Sequence, residues 1–170
     1  NGDTNAGITN RKAYCCVKPT KPVHDMALKT LSDGPLWARV FYHNIKDGTV
    51  LFSSASEAKN TQTADKYSRL YLLDDNTYKG SDGKFELMLC YPNDTTQYNR
   101  WKQTDSPCNL YTNGGQNTFV PGYEAIHIDW SSNSWGGMER NSADANSITY
   151  AYLDGSVGFG NWWYALAPVE

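Results

Sequence analysis

Short stretches in which apolar and polar side chains alternate recur along this chain, and each ends at a cluster of turn-forming residues. Residues 36–43 (LWARVFYH) alternate in this way and place an aromatic ring on each face of the predicted strand. Because both faces are apolar enough to be covered, we expect this strand to lie inside its sheet. The same reasoning predicts further strands at residues 85–91 (FELMLCY), 98–104 (YNRWKQT) and 123–130 (YEAIHIDW).

One segment, residues 56–75 (SEAKNTQTADKYSRLYLLDD), has helical spacing instead. Ala64, Tyr67 and Leu70 recur at helical intervals, and Thr63 is a suitable N-cap. Glycine, asparagine, serine, threonine and aspartate recur between the apolar runs, which is typical of a strand-rich and loop-rich domain. We therefore predict a mostly β fold, either β-sandwich-like or α+β with one short helix.

The N-terminal part differs from the rest in composition. Residues 1–34 contain few apolar positions, and Pro19, Pro22 and Pro35 favour extended or turn conformations in and beside them. A chain of 170 residues is long enough for one sizeable core. We therefore predict an N-terminal arm or linker at residues 1–34 and a single compact, β-rich domain at residues 35–170.

Charge and hydropathy argue against two classes of partner. The net charge is −3 and no block of like charge occurs, so the sequence lacks the basic character that binds a phosphate backbone. No apolar run of about 18 residues occurs, and the N-terminal segment lacks the apolar centre of a signal peptide. We expect no nucleic-acid partner and no membrane insertion, and any secretion signal to have been removed already or never present.

The four cysteines, Cys15, Cys16, Cys90 and Cys108, lack the spacing of a zinc site. Cys90 and Cys108 bracket a polar segment that a disulfide could close, whereas Cys15 and Cys16 would need a vicinal bridge or separate partners. Four reduced, buried thiols are the alternative. Disulfides would indicate an oxidising compartment, and Asn93-Asp94-Thr95 fits an N-glycosylation site, so we expect a secreted or extracellular glycoprotein.

Catalytic motifs are scarce in the sequence. In a regular strand Glu124 and His127 face opposite sides, while His127 and Asp129 share one. The three histidines lie far apart, and no serine-nucleophile, phosphate-loop or dinucleotide motif occurs. We therefore expect no catalytic residue and no metal site. The acidic candidates for a hydrolase, for which solvated surface acids are the more common interpretation, are Glu86, Glu124, Asp129 and Glu139.

Aromatic and amide-rich loops are the most informative feature for function. A saccharide presents an apolar face and a ring of hydroxyls, so its site needs a flat aromatic ring beside Asn, Asp or Arg. Neighbouring strand residues point to opposite faces, so one of Trp162 and Trp163 should be core and the other exposed, although filling the core is a competing role for any tryptophan. The predicted ligand-binding residues are Tyr98, Asn99, Arg100, Trp101, Asn133, Trp135, Trp162 and Trp163.

Several blocks of the sequence together resemble a known type of extracellular domain: WARVFYHNIKDGTVLFSSASEA, GSDGKFELMLCYP, YNRWKQT, SWGG and DGSVGFGNWWYA, within residues 35–167. Similar domains occur in secreted proteins of cnidarians and other invertebrates and at the tips of bacterial or phage adhesive fibres. The resemblance implies adhesion and recognition rather than catalysis.

DGSVGFGNW and NWWYA are also distantly similar to segments of the fibrinogen C-terminal domain, whose lectin-like relatives bind sugars or acetyl groups, often with calcium. The order of these segments and the cysteine placement depart from that family, so no calcium ligand is carried over. Asp129, Asn133 and Asp144 could supply hard oxygens, but one firm acid with scattered amides is only a weak indication of calcium.

The sequence thus predicts a secreted or surface-displayed, lectin-like adhesion domain that binds a glycan or another cell-surface or matrix ligand without a cofactor. One alternative is a structural or assembly module of an extracellular fibre or matrix, which would form homo-oligomers through residues 1–34. A second alternative is a small glycan-cleaving enzyme that uses the same aromatic loops and an acid pair formed across strands.

Overall fold

The computed structural model describes residues 11–20, 27–30, 36–45, 52, 54–91, 94–109, 119–129, 135–140 and 153–154. These residues are mostly β structure, which confirms the predicted fold class. The helical elements are α1 (Ala55–Lys59), α2 (Asp75–Tyr78) and a 3₁₀ turn at Leu70–Leu72. The strands are β1 (Arg11–Val17), β2 (Ala27–Thr30), β3 (Leu36–Ile45), β4 (Thr61–Gln62), β5 (Lys66–Ser68), β6 (Phe85–Tyr91), β7 (Asp94–Gln103), β8 (Glu124–Ile128), β9 (Glu139–Arg140) and β10 (Leu153–Asp154).

Eight of these strands form one antiparallel sheet in the order β4-β5-β3-β1-β6-β7-β8, with β2 as an additional partner of β3. The strands predicted at residues 36–43, 85–91, 98–104 and 123–130 correspond to β3, β6, β7 and β8. The interior position predicted for β3 is also confirmed, because β1 pairs along one edge while β2 and β5 pair along the other. β9 and β10 pair with each other outside this sheet.

Strand β1 lies in the middle of the sheet, so the prediction of a peripheral arm is wrong for Arg11–Val17. Cys15 pairs with Phe41 of β3 on one side and with Leu89 of β6 on the other. Cys15, Cys16 and Val17 are fully buried. The apolar run at residues 13–17 is short, but it is long enough to form a strand, and the burial of Cys15 and Cys16 in clusters on opposite faces makes this strand integral to the fold. The rest of residues 1–34 is described only at 18–20 and 27–30.

The single helix predicted within residues 56–75 is also wrong. The helix lies earlier, at α1, where the hydroxyl of Ser54 accepts a hydrogen bond from the Glu57 N–H at 3.1 Å. The Thr63 hydroxyl closes a tight turn instead of capping a helix, because it accepts from Lys66 N–H and donates to Lys66 C=O. This turn joins β4 to β5, and β5 then gains pairing with β3, which a helix would have prevented.

Side-chain alternation sorts the buried residues onto two faces of the sheet. The main core lies on the face covered by α1, α2 and the 3₁₀ turn, which contribute Ala58, Tyr78 and Leu70. A second cluster lies on the opposite face, as expected for Met88 and Cys90, which alternate with the core residues Leu87 and Leu89 on β6. Its members are Cys16, Trp37, Met88 and Cys90, with Tyr98 packed against them.

The four cysteines form no disulfide bond in the structure, which describes all of them. Cys90 belongs to the second cluster, whereas Cys108 packs against the main core with Cys15. The expected Cys90–Cys108 disulfide is therefore wrong, because their side chains lie on opposite sides of the sheet. Burial, together with the neighbouring Cys90 and Cys108 thiols, raises the pKa of Cys15 and keeps it protonated at neutral pH.

A buried glutamine at the end of β7 fastens residues 135–138 to the sheet. The Gln103 Oε1 atom accepts hydrogen bonds from Trp101 Nε1 at 2.8 Å and from Met138 N at 2.9 Å. Its Nε2 atom donates to Met138 O at 2.8 Å and to Asp105 O at 2.7 Å. The amide thereby uses two acceptor and two donor positions, which is the full capacity of the side chain.

Candidate functional site at the edge of strands β7 and β8

A β-bulge in β8 determines which side chains share the outer face of the sheet, by which we mean the face opposite the main core. Glu124 pairs with Lys102 and His127 pairs with Arg100, and the register shifts between Arg100 and Trp101. Lys102 and Arg100 are two residues apart on β7 and share a face, so Glu124 and His127 share that face too. The prediction that Glu124 and His127 point to opposite sides is therefore wrong, because Ile126 is an extra residue in the strand.

His127, Asp129 and Tyr98 form the centre of the site. His127 Nε2 lies 2.9 Å from Asp129 Oδ2, which confirms that these two residues share a face. The imidazole stacks on the Tyr98 ring with centroids 4.4 Å apart and an interplanar angle of 28°. The Tyr98 N–H donates to the same Asp129 Oδ2 at 2.8 Å. We call Tyr98, Arg100, His127 and Asp129 the His127 site.

The electrostatics of the site favour an ionised Asp129. The backbone N–H of Tyr98, followed by the side chain of His127, holds the pKa of Asp129 below its usual value. Asp129 Oδ2 makes both of these contacts, and Oδ1 has no hydrogen-bond partner in the part of the chain that the structure describes. Oδ1 is therefore an acceptor that a ligand hydroxyl could use.

Asn99 supports the site from the buried side of β7. Its side chain is fully buried, and its Oδ1 accepts a hydrogen bond from the Asp129 N–H at 3.1 Å. The prediction that Asn99 contacts ligand is wrong, because alternation along β7 points it towards the main core. Its position fixes the backbone from which the Asp129 carboxylate projects.

Arg100, which the sequence predicts as a ligand-binding residue, lies on the outer face and already has a partner. Glu86 Oε1 accepts from Arg100 Nε at 2.7 Å and also contacts Nη2, while Glu86 Oε2 lies 3.2 Å from Lys18 Nζ. The guanidinium also lies 5.6 Å from the centre of the Trp37 ring. Arg100 is thus held in place beside His127, and Glu86 is compensated by two cations.

The tryptophans described by the structure belong to the interior. Trp101 and Trp135 are fully buried and meet edge to face, with centroids 4.9 Å apart. The prediction that Trp101 and Trp135 contact ligand is therefore wrong. Alternation along β7 places Trp101 on the core face, and Trp135 packs against Trp101 in the main core. The predicted ligand residues Asn133, Trp162 and Trp163 lie outside the described residues.

The residue that sequence reasoning missed is His127, whose side chain is 45% exposed. The sequence paired it with Asp129 but did not bring it to Tyr98, because that contact depends on the β7–β8 register. No group of three or more His, Cys, Asp or Glu residues that could hold a metal ion occurs among the described residues. No described helix is long and apolar enough to cross a membrane.

Comparison with known proteins finds no match for this chain: no family model matches it, and neither does a curated protein or a solved structure.

Proposed function

We propose that this protein is a secreted or surface-displayed recognition domain that binds a glycan at the His127 site without catalysing a reaction. The observation that carries the proposal is the half-exposed His127 ring, which is stacked on Tyr98 and fixed by Asp129 at the edge of the sheet. The localisation part rests on the resemblance of the sequence blocks to extracellular adhesion domains, and it is independent of the cysteines.

A fixed aromatic ring suits a saccharide when it lies beside a carboxylate oxygen that, like Asp129 Oδ1, has no partner among the described residues. The exposed side of the imidazole can cover the C–H face of a sugar ring, and Asp129 Oδ1 can accept a hydroxyl proton. The stack on Tyr98 and the Asp129 contact hold the imidazole before a ligand arrives, so little side-chain freedom remains to be lost on binding.

The acidic residues support binding rather than cleavage. Glycoside hydrolysis needs two carboxyl groups on opposite sides of the scissile bond. Here Glu86 contacts Arg100 and Lys18, Glu124 contacts Lys84 at 3.0 Å, and Asp129 contacts His127. Each of these carboxylates therefore already contacts a basic group, as carboxylates in structural ion pairs do.

A glycan array probed with the whole chain, with and without calcium, tests the proposal. For a glycan that binds, we expect His127→Ala to weaken affinity about tenfold, the loss of roughly 1.4 kcal/mol that one aromatic contact supplies. Asp129→Asn should cost less than tenfold, because the amide keeps an acceptor oxygen. Glu124→Gln is the matched control, since Glu124 lies on the same face but pairs with Lys84, and it should bind as the wild type does.

Two outcomes would contradict the proposal. Binding that His127→Ala and Glu124→Gln reduce equally would place the ligand elsewhere on the molecule. Mass spectrometry of a bound oligosaccharide that detects cleavage, abolished by Asp129→Asn, would establish an enzyme instead of a binding domain.

A further inference from the structure

A second polar cluster lies near the opposite edge of the sheet, where β5 ends. Arg69 follows β5, and its backbone N–H donates to Val40 C=O of β3 at 2.8 Å. The Arg69 Nη1 atom donates to Tyr71 Oη at 3.0 Å and lies 3.4 Å from Asn60 Oδ1. The guanidinium carbon lies 5.7 Å from the centre of the Tyr71 ring. We call Asn60, Arg69 and Tyr71 the Arg69 cluster.

The charge of Arg69 is not compensated by a carboxylate within the described residues. Both atoms that accept from Nη1 are neutral oxygens. Lys59, beside Asn60 in the sequence, likewise has no carboxylate contact among the residues described. Most other described cations do have a carboxylate partner. Carboxylates lie within 4 Å of Lys18, Lys66, Lys79, Lys84, Arg100 and Lys102.

The Arg69 Nε atom adds a second observation that favours an anionic ligand. It is buried and has no hydrogen-bond partner among the residues that the structure describes. A guanidinium remains charged at any physiological pH, so a buried N–H without an acceptor is unfavourable unless another group supplies one. Such groups in folded proteins commonly indicate a bound water or ion. An oxyanion is the ligand that satisfies both the charge and the donors of an arginine.

The neighbouring Tyr71 indicates what the oxyanion is attached to. Its side chain is among the exposed large aromatics, at 50% exposure, although it lies against the Arg69 guanidinium. An aromatic ring that remains half open to solvent can cover the apolar face of a sugar, while a neighbouring cation without a carboxylate partner among the described residues binds the acidic group of that sugar.

We propose that the Arg69 cluster binds the carboxylate or sulfate group of an acidic saccharide. Arg69 contacts the oxyanion, Asn60 and Tyr71 Oη orient the guanidinium, and the Tyr71 ring lies against the sugar. The saccharide part of this inference rests on the proposed function, whereas the anion part rests on Arg69 alone. The site is separate from the His127 site, since β5 and β8 lie towards opposite ends of the sheet order.

The side-chain Nε–H signal of Arg69 in a ¹H–¹⁵N spectrum tests the proposal directly. The probes are sodium glucuronate, sodium sulfate and glucose, each titrated into the whole chain at constant ionic strength. We expect glucuronate to shift this signal with saturation, while glucose leaves it unchanged. A response to glucuronate but not to sulfate assigns a carboxylate ligand, and a response to sulfate that is at least as strong assigns a sulfated one. No saturable shift with either anion would overturn the proposal.

Variants separate binding from structure. Arg69→Gln should abolish the saturable response, read from the Asn60 side-chain amide signal, and should still fold because it removes a buried donor that lacks an acceptor. Arg69→Lys, a second variant that keeps the charge, should weaken binding about tenfold by losing the planar fork. Lys102→Gln is the matched control for the loss of one positive charge, since Lys102, which lies on β7, is already paired with Asp82, and it should leave the response unchanged.

The two proposals fail separately. His127→Ala should leave the glucuronate response at Arg69 intact, and Arg69→Gln should leave binding of a neutral glycan at the His127 site intact. Equal glucuronate affinity in Arg69→Gln and the wild type would overturn the Arg69 proposal alone. Loss of neutral glycan binding in Arg69→Gln would show that the two sites are not independent and would overturn the separation argued here.

Discussion

Replacing Gln103 with leucine tests how residues 135–138 are held against the sheet. Leucine is close to glutamine in size, so Gln103→Leu removes the hydrogen bonds with little change in volume. Three fully buried groups then lose their partner: the Trp101 indole N–H, the Met138 N–H and the Met138 carbonyl. Each buried polar group left without a partner costs about 1–3 kcal/mol.

The leucine side chain offsets part of this cost. Burying it gains about 2 kcal/mol relative to leaving it in water. Subtracting this from the middle of the range for three groups leaves a net loss of about 4 kcal/mol. Single domains have total stabilities of about 5–15 kcal/mol, so the variant should fold but with a clearly lower urea midpoint.

Equilibrium urea unfolding followed by tryptophan fluorescence measures the effect, because Trp101 and Trp135 report on this contact. Gln62→Leu is the matched control, since Gln62 is exposed on β4, and its stability should change by no more than about 0.5 kcal/mol. If Gln103→Leu also stayed within about 0.5 kcal/mol of the wild type, Met138 would not depend on Gln103, and the reasoning would be refuted.

Two further predictions concern single positions. Gly122 and Gly83 both have positive φ, 70° and 72°, but a Cβ at Gly122 would overlap Thr104 Oγ1, while the space at Gly83 is open. In urea unfolding, Gly122→Ala should therefore lose more stability than the roughly 1 kcal/mol expected for Gly83→Ala. Equal losses of stability would contradict this prediction. The folded-state pKa of Asp129 lies below its unfolded value. Its contribution to stability is therefore present above the unfolded pKa and lost as pH falls through the folded pKa, so Asp129→Asn should flatten the acid limb of a stability–pH curve, and an unchanged limb would count against the contact.

A strand could be predicted where its own residues show a clear alternation of apolar and polar side chains. β3 and β6 have this property, and their positions follow from the apolar residues alone. β1 does not, because its apolar part is only as long as Ala13–Val17 and lies between polar segments. Its central place comes from pairing with β3 and β6, which are distant in sequence. The hairpin of β4 and β5 was missed for a related reason, since pairing with β3 outweighs the helical spacing of its residues.

The candidate site was predictable only in part. Tyr98 and Arg100 were expected on a recognition surface, and the pairing of His127 with Asp129 follows from strand geometry. The bulge at Ile126 could not be predicted from strand geometry, because an extra residue in a strand leaves no clear trace in the apolar pattern. The Arg69 cluster was not predictable either, since an arginine without a carboxylate partner is recognised only when its neighbours are known.

Along β7, side chains that point to the outer face alternate with side chains that point into the main core. Ligand-facing and structural residues are therefore neighbours in sequence, and variants of the strand must be interpreted with this in mind. Tyr98 and Arg100 point to the outer face, whereas Asn99 and Trp101 point into the main core. A variant of Asn99 would move Asp129, because the Asp129 N–H bonds to Asn99 Oδ1, and so it would weaken binding without any contact to the ligand. Lost affinity assigns a contact only if stability is unchanged, a condition that substitutions at the exposed His127 ring are best placed to meet.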